Sequence, residues 1–135
     1  MASEPKTRPT DASVADYLAA LQPANRREDA QAACALLQDI TGEPPVMWGS
    51  SIVGFGSYQG PTGDWPVIGF AARKAELVFY CAPGAEDRSD LLARLGRHRT
   101  GVSCVYVKRL SELDPGALRE LLTWSIETVH ARYPA

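Results

Sequence analysis

Apolar positions along this chain follow two periods, and the change from one to the other marks out the elements. Val14, Tyr17, Leu18 and Leu21 recur at helical spacing, with Ser13 placed to cap the first turn and Asp16 completing a capping-box-like pair. Gln22-Pro23 breaks that helix. A second one from about Asn25 gathers Ala30, Ala33, Cys34, Leu37 and Ile40 on one face, shows Arg26, Arg27, Asp29, Gln31 and Gln38 on the other, and ends at Thr41-Gly42. Glu43-Pro44-Pro45 then forces an extended exit, because a residue before proline is pushed out of the helical region.

After an irregular entry at Met47 to Ser51 the period shortens to two. Ile52 to Tyr58 reads as a strand weakened by Gly54 and Gly56, and Gln59 to Asp64 as a turn. Pro66 to Ala72 and Ala75 to Cys81, joined at Arg73-Lys74, predict an antiparallel hairpin with Leu77, Phe79 and Cys81 on one face and Val78 and Tyr80 on the other. Ala82 to Asp87 is a loop, Leu91, Leu92 and Leu95 mark a short helix stopped by Gly96, and Val102 to Lys108 is a strand. Asp114 as cap and Pro115 at the first helical position open a last helix, on which Leu118, Leu122, Ile126, Val129 and Tyr133 keep helical spacing. This order predicts an α+β fold: an antiparallel sheet of about four to five strands with the helices packed on one face. The other face is then solvent, a shallow binding surface or a dimer interface.

The totals narrow the class. With 135 residues and 45% hydrophobic positions, the chain is expected to form one domain over 13–135, preceded by a polar, flexible tail over 1–12. A net charge of -2 disfavours general attraction to nucleic acid or an anionic membrane. No apolar run approaches membrane-spanning length and the N-terminus carries no apolar leader, so a cytoplasmic location is expected. Cys34, Cys81 and Cys104 are odd in number, far apart and without a C-x-x-C pair, which reads as buried reduced thiols rather than disulfides or a zinc knuckle.

Candidate chemistry concentrates in one stretch. Arg97, His98, Arg99 and Thr100 lie between Gly96 and Gly101, where guanidinium groups, a hydroxyl and glycine-flanked amides can bind an anion; the alternative is a solvated connector. Cys104 follows, and a catalytic thiol there would need its pKa lowered by those cations, but no coupled nucleophile and base is apparent and no catalytic residue is assigned. Trp48, beside Gly49 and Ser50, can wall a pocket floored by Gly54 and Gly56, or plug the end of the core.

Trp48-Gly49 ahead of a strand, the hairpin Phe70-Ala71-Ala72-Arg73 to Tyr80, and Gly96-Arg97-His98-Arg99-Thr100-Gly101 leading to Cys104 together resemble the bacterial YdhG-like domains of unknown function. The likeness runs from about Val14 to Tyr133. It implies a frataxin-like α+β fold and, because members are often labelled iron chaperones, iron as the one cofactor suggested. The first two helices, however, offer only Asp11, Asp16, Glu28, Asp29 and Asp39 among arginines, and no acidic ridge. The expectation is a non-enzymatic domain binding a small molecule, an anion or a metal ion through Trp48, Ser50, Tyr80, Arg97, His98, Arg99, Thr100, Gly101 and Cys104. The rival expectation is a protein-interaction or homodimerisation module using the uncovered sheet face.

Overall fold

Capping chemistry starts and stops the helices close to the positions the sequence marks. In the computed structural model, which describes residues 9–49, 51–60, 63–73, 75–81, 88–101 and 104–133, Ser13 accepts from the Asp16 N–H at 3.1 Å and opens α1 (Val14–Ala19). Helix α2 (Ala24–Thr41) ends on Gly42, whose left-handed backbone (φ 70°) lets its N–H reach Gln38. A short α3 (Ser89–Leu95) follows later, and Asp114 with Pro115 opens α4 (Pro115–Arg132). No helix among the described residues is long and apolar enough to cross a membrane.

The strands are β1 (Pro45–Trp48), β2 (Ile52–Phe55), β3 (Tyr58–Gly60), β4 (Gly63–Trp65), β5 (Ile68–Ala72), β6 (Leu77–Tyr80), β7 (Arg99–Thr100) and β8 (Cys104–Val107). Six form one sheet in the order β1-β2-β5-β6-β8-β7, antiparallel at every pairing, while β3 and β4 make a separate hairpin. The expected β5–β6 hairpin is present, with Ala72 opposite Leu77. The expected four to five strands are too few. The extended exit after Pro44 becomes β1, tolerated because its proline sits at the first residue of the strand. The turn over Gln59 to Asp64 becomes the tip of β3–β4, and half of the basic loop becomes β7. The outer edge of β1 is itself met by Pro9, which bridges Trp48, and by Thr10, whose N–H donates to the Met47 carbonyl at 2.8 Å. The expected loop over residues 82–87, Lys74, Ser50, and Val102 and Ser103 lie outside the described residues.

Alternation along the strands sends Met47, Val53, Phe55, Phe70, Leu77, Phe79, Val105 and Val107 to one side, where they meet Ala30, Ala33 and Leu37 of α2 and Leu118, Leu121, Leu122, Ile126 and Val129 of α4. That is the core.

The polar face expected for α2 is partly wrong. Arg26 and Asp29 are buried where α2 meets the chain beyond β8: Asp29 accepts from Arg109 Nε at 2.8 Å and from the Leu110 N–H at 3.2 Å, and Arg26 donates to the Lys108 carbonyl at 2.9 Å. Helical periodicity registers charge, not the tertiary partner that makes burying it tolerable. Asp29→Ala is expected to cost about 1–2 kcal/mol, less than a fully buried pair because the Arg109 side chain is 38% exposed and regains water. Urea denaturation measures it, with Asp39→Ala, at an exposed ion pair with Arg119, as the near-neutral control.

Among the described residues no helix packs on the opposite face of the sheet. Trp48 is only 2% exposed because its ring lies against Gly54, where an added Cβ would meet the indole at 2.5 Å. The register puts Arg73, Glu76 and Lys108 in one row, Ala71, Val78, Tyr106 and Arg99 in the next, and Gly69, Tyr80 and Cys104 in a third. Arg73 donates to the Tyr80 hydroxyl at 2.8 Å, a link that spans the middle row, and Ala71 and Val78 beneath are each 1% exposed.

Candidate anion-binding site

The site begins where α3 ends. Gly96 has φ 110° and stands so close to the 3-10 turn Leu110–Glu112 that an added Cβ would fall 2.3 Å from the Glu112 carbonyl oxygen. Only glycine allows that approach. It bridges Leu113, and the Asp114 N–H donates to the Leu95 carbonyl at 2.7 Å, so the turn and the end of α3 are clamped together.

That clamp sets the residues that follow. Arg97 Nη1 comes 3.6 Å from the Glu112 carboxylate. His98 Nδ1 lies 2.7 Å from the Gly96 carbonyl, which can only accept, so Nδ1 carries the proton. Arg99 and Thr100 pair with Tyr106 and Val105, and the Gly101 N–H closes the β7–β8 turn on the Cys104 carbonyl at 2.9 Å. The basic stretch is therefore an edge strand as well as a loop. The Arg99 guanidinium lies over the Tyr106 ring, 3.9 Å from its centroid, and pairs with Glu76, a bond that holds the arginine firmly protonated.

Between these groups is a cleft of about 130 Å³ lined by Glu76, Arg97, His98, Arg99, Tyr106 and Lys108. It has the room of about four waters, which suits a tetrahedral oxyanion or a small carboxylate. Two larger grooves differ in charge. One of about 580 Å³ along α3 and α4 carries Arg88, Arg94 and Arg119, each paired to Asp90, Glu120 and Asp39 at 3.2, 2.9 and 2.5 Å. The other, about 400 Å³ beside β1, presents Glu43 and Asp64 with no cation among the described residues that line it.

Of the residues singled out from the sequence, Arg97, His98 and Arg99 line the cleft, while Thr100 and Gly101 continue its rim along β7. Tyr80 and Cys104 sit on the same sheet face one row away. Trp48 does not join them: β2 and β5 lie between β1 and β6, which puts the two three strand spacings apart, roughly 14 Å, and the space above Gly54 is filled by its own ring. Ser50 lies outside the described residues. Glu76, Tyr106, Lys108 and Arg73 were not singled out as ligand-site residues, although the alternation Glu76, Val78, Tyr80 across from Lys108, Tyr106, Cys104 carries the signal.

Thiol chemistry separates by burial. Burial raises the Cys34 thiol pKa and pushes Cys81 up to about 12, helped by neighbouring Cys104 and opposed by a hydrogen bond with Ser125. Cys104 is half-buried, and its hydrogen bond with Tyr106 is the main reason that phenol titrates higher than usual. Brief iodoacetamide treatment of the native protein is expected to alkylate Cys104 alone, with Cys34 and Cys81 modified only in denaturant; peptide mass mapping distinguishes them. Among the described residues no three His, Cys, Asp or Glu side chains gather as a metal ligand set. Comparison with protein-family models, with curated proteins and with solved structures found no match to this chain.

Proposed function

We propose that this chain is a non-enzymatic binding domain that holds a small oxyanion or carboxylate in the cleft beside β7. One observation carries the reading: Arg97, Arg99 and Lys108 face a cleft whose only lining carboxylate among the described residues is Glu76, in a chain whose net charge is -2. The ligand competes with Glu76 for Arg99 and with Glu112 for Arg97, and both arginines are largely exposed, so binding is weak and fades with salt. The resemblance to YdhG-like domains fits this reading insofar as its Gly96 to Cys104 motif supplies the cleft; iron remains an implication of that resemblance.

Titrating phosphate or a small dicarboxylate at low ionic strength, while following backbone amide shifts, tests it. Signals from Gly96 to Gly101 are expected to move, and Arg97→Ala with Arg99→Ala to abolish the movement. Static signals, or an unchanged response in the double variant, leave the loop a connector. The second reading, a protein interface on the open sheet face, draws on the half-buried Tyr80 and Tyr106. It is the lesser because two copies face to face would oppose like-charged arginines.

A further inference from the structure

We infer that the oxyanion of the β7 cleft brings a proton of its own, which makes it hydrogen phosphate rather than sulfate; the inference rests on the anion reading above. The lining is not purely cationic. Glu76 stands among Arg97, Arg99 and Lys108, and its side chain is only 17% exposed, so it stays in the lining when an anion enters. Its backbone is fixed as well, because the Arg73 N–H donates to its carbonyl at 2.8 Å to close the β5–β6 turn, and the register sets Lys108 across from it. A fully ionised oxyanion therefore meets carboxylate oxygens that, like its own, can only accept.

Matching donors to acceptors leaves one acceptor short of a partner. Arg97, Arg99 and Lys108 only donate, and a guanidinium has five N–H groups, so Arg99 can keep Glu76 and still reach a ligand oxygen. The Tyr106 hydroxyl is engaged with Cys104, and His98 commits Nδ1 to the Gly96 carbonyl. Glu76 uses Oε1 on Arg99, which leaves carboxylate lone pairs able to take a donor from the ligand. Hydrogen phosphate supplies that donor from its P–OH at neutral pH. Sulfate has none, so it can only displace Glu76 from Arg99, and the two anions repel at close range. A cleft with the room of about four waters takes one tetrahedral ion of either kind, so the proton, not the shape, separates them.

Phosphate and sulfate, titrated in parallel into the full chain at neutral pH and equal low ionic strength, test this through the Gly96 to Gly101 amide signals. Phosphate is expected to bind about tenfold more tightly, the size of one hydrogen bond to a charged group. Arsenate, which keeps the same hydroxyl, should follow phosphate, and selenate should follow sulfate. Glu76→Gln should bring phosphate and sulfate within about twofold of each other, because an amide can donate to either. Glu112→Gln removes the same charge beside Arg97 but outside the described lining, so it should strengthen both anions and keep the preference. His98→Ala should keep it too. Equal binding of phosphate and sulfate by the unaltered protein, arsenate that behaves like sulfate, or a preference that survives Glu76→Gln overturns the shared proton and leaves the anion site standing. A preference lost in Glu112→Gln or in His98→Ala also overturns it, since charge alone or the imidazole would then be the cause. If neither anion moves the signals, both readings fall.

Discussion

Leu122→Ala is expected to destabilise the fold by about 2–5 kcal/mol, among the largest effects of any single truncation in this chain. Leu122 is fully buried on the face of α4 that carries Leu118, Ile126 and Val129, opposite a sheet whose inward residues include Phe70, Leu77 and Phe79. Removing its isobutyl group forfeits both the transfer free energy of the side chain and the contacts around the void, because helix and sheet are too tightly joined to close over it. Urea or guanidinium unfolding monitored by circular dichroism measures the loss as a lower midpoint at unchanged slope. A change below about 0.5 kcal/mol, the scale of surface substitutions, would mean that another face of α4 meets the sheet.

That helix was legible because its periodicity, cap and proline agree with one another. The β5–β6 hairpin was legible for the same reason, its alternation being bounded by a connection too short for anything else. What escaped is where local and tertiary signals part. Glu43-Pro44-Pro45 reads only as an extended exit until a neighbour supplies the partner that makes Pro45–Trp48 a strand, and Arg99–Thr100 is two residues long, with no period to detect. Trp48 and Gly54 were paired in the reading of the sequence, but as wall and floor for a ligand; the glycine's missing side chain is occupied by the indole itself. Asp29 and Arg26 could not be separated from Arg27 and Gln31 by pattern, since their burial depends on Arg109 and Lys108 some eighty positions away. In the site, sequence proximity found Arg97, His98 and Arg99, and missed Glu76 and Lys108 because sheet pairing brings them there.

Gly96→Ala is the substitution that joins stability to the site, and it is expected to cost about 3 kcal/mol or more. Backbone strain accounts for part of it, since φ 110° lies where side-chain-bearing residues pay roughly 1–3 kcal/mol. The rest is steric. The new methyl group would stand 2.3 Å from the Glu112 carbonyl oxygen, which is backbone and cannot swing aside, so the 3-10 turn must part from the end of α3 and loosen the Asp114 to Leu95 hydrogen bond. Arg97 and His98 then lose their fixed positions, the first beside Glu112 and the second on the Gly96 carbonyl itself. The variant should therefore unfold at lower denaturant and, where still folded, respond to phosphate more weakly at Gly96 to Gly101. Gly101→Ala is the control: its backbone φ is not positive and its nearest contact would be an ordinary 3.4 Å, so its stability should stay within about 0.5 kcal/mol of the unaltered protein. If the two alanine variants are equally stable and bind phosphate alike, the clamp at Gly96 does not shape the cleft, and its residues are set by β7 pairing alone.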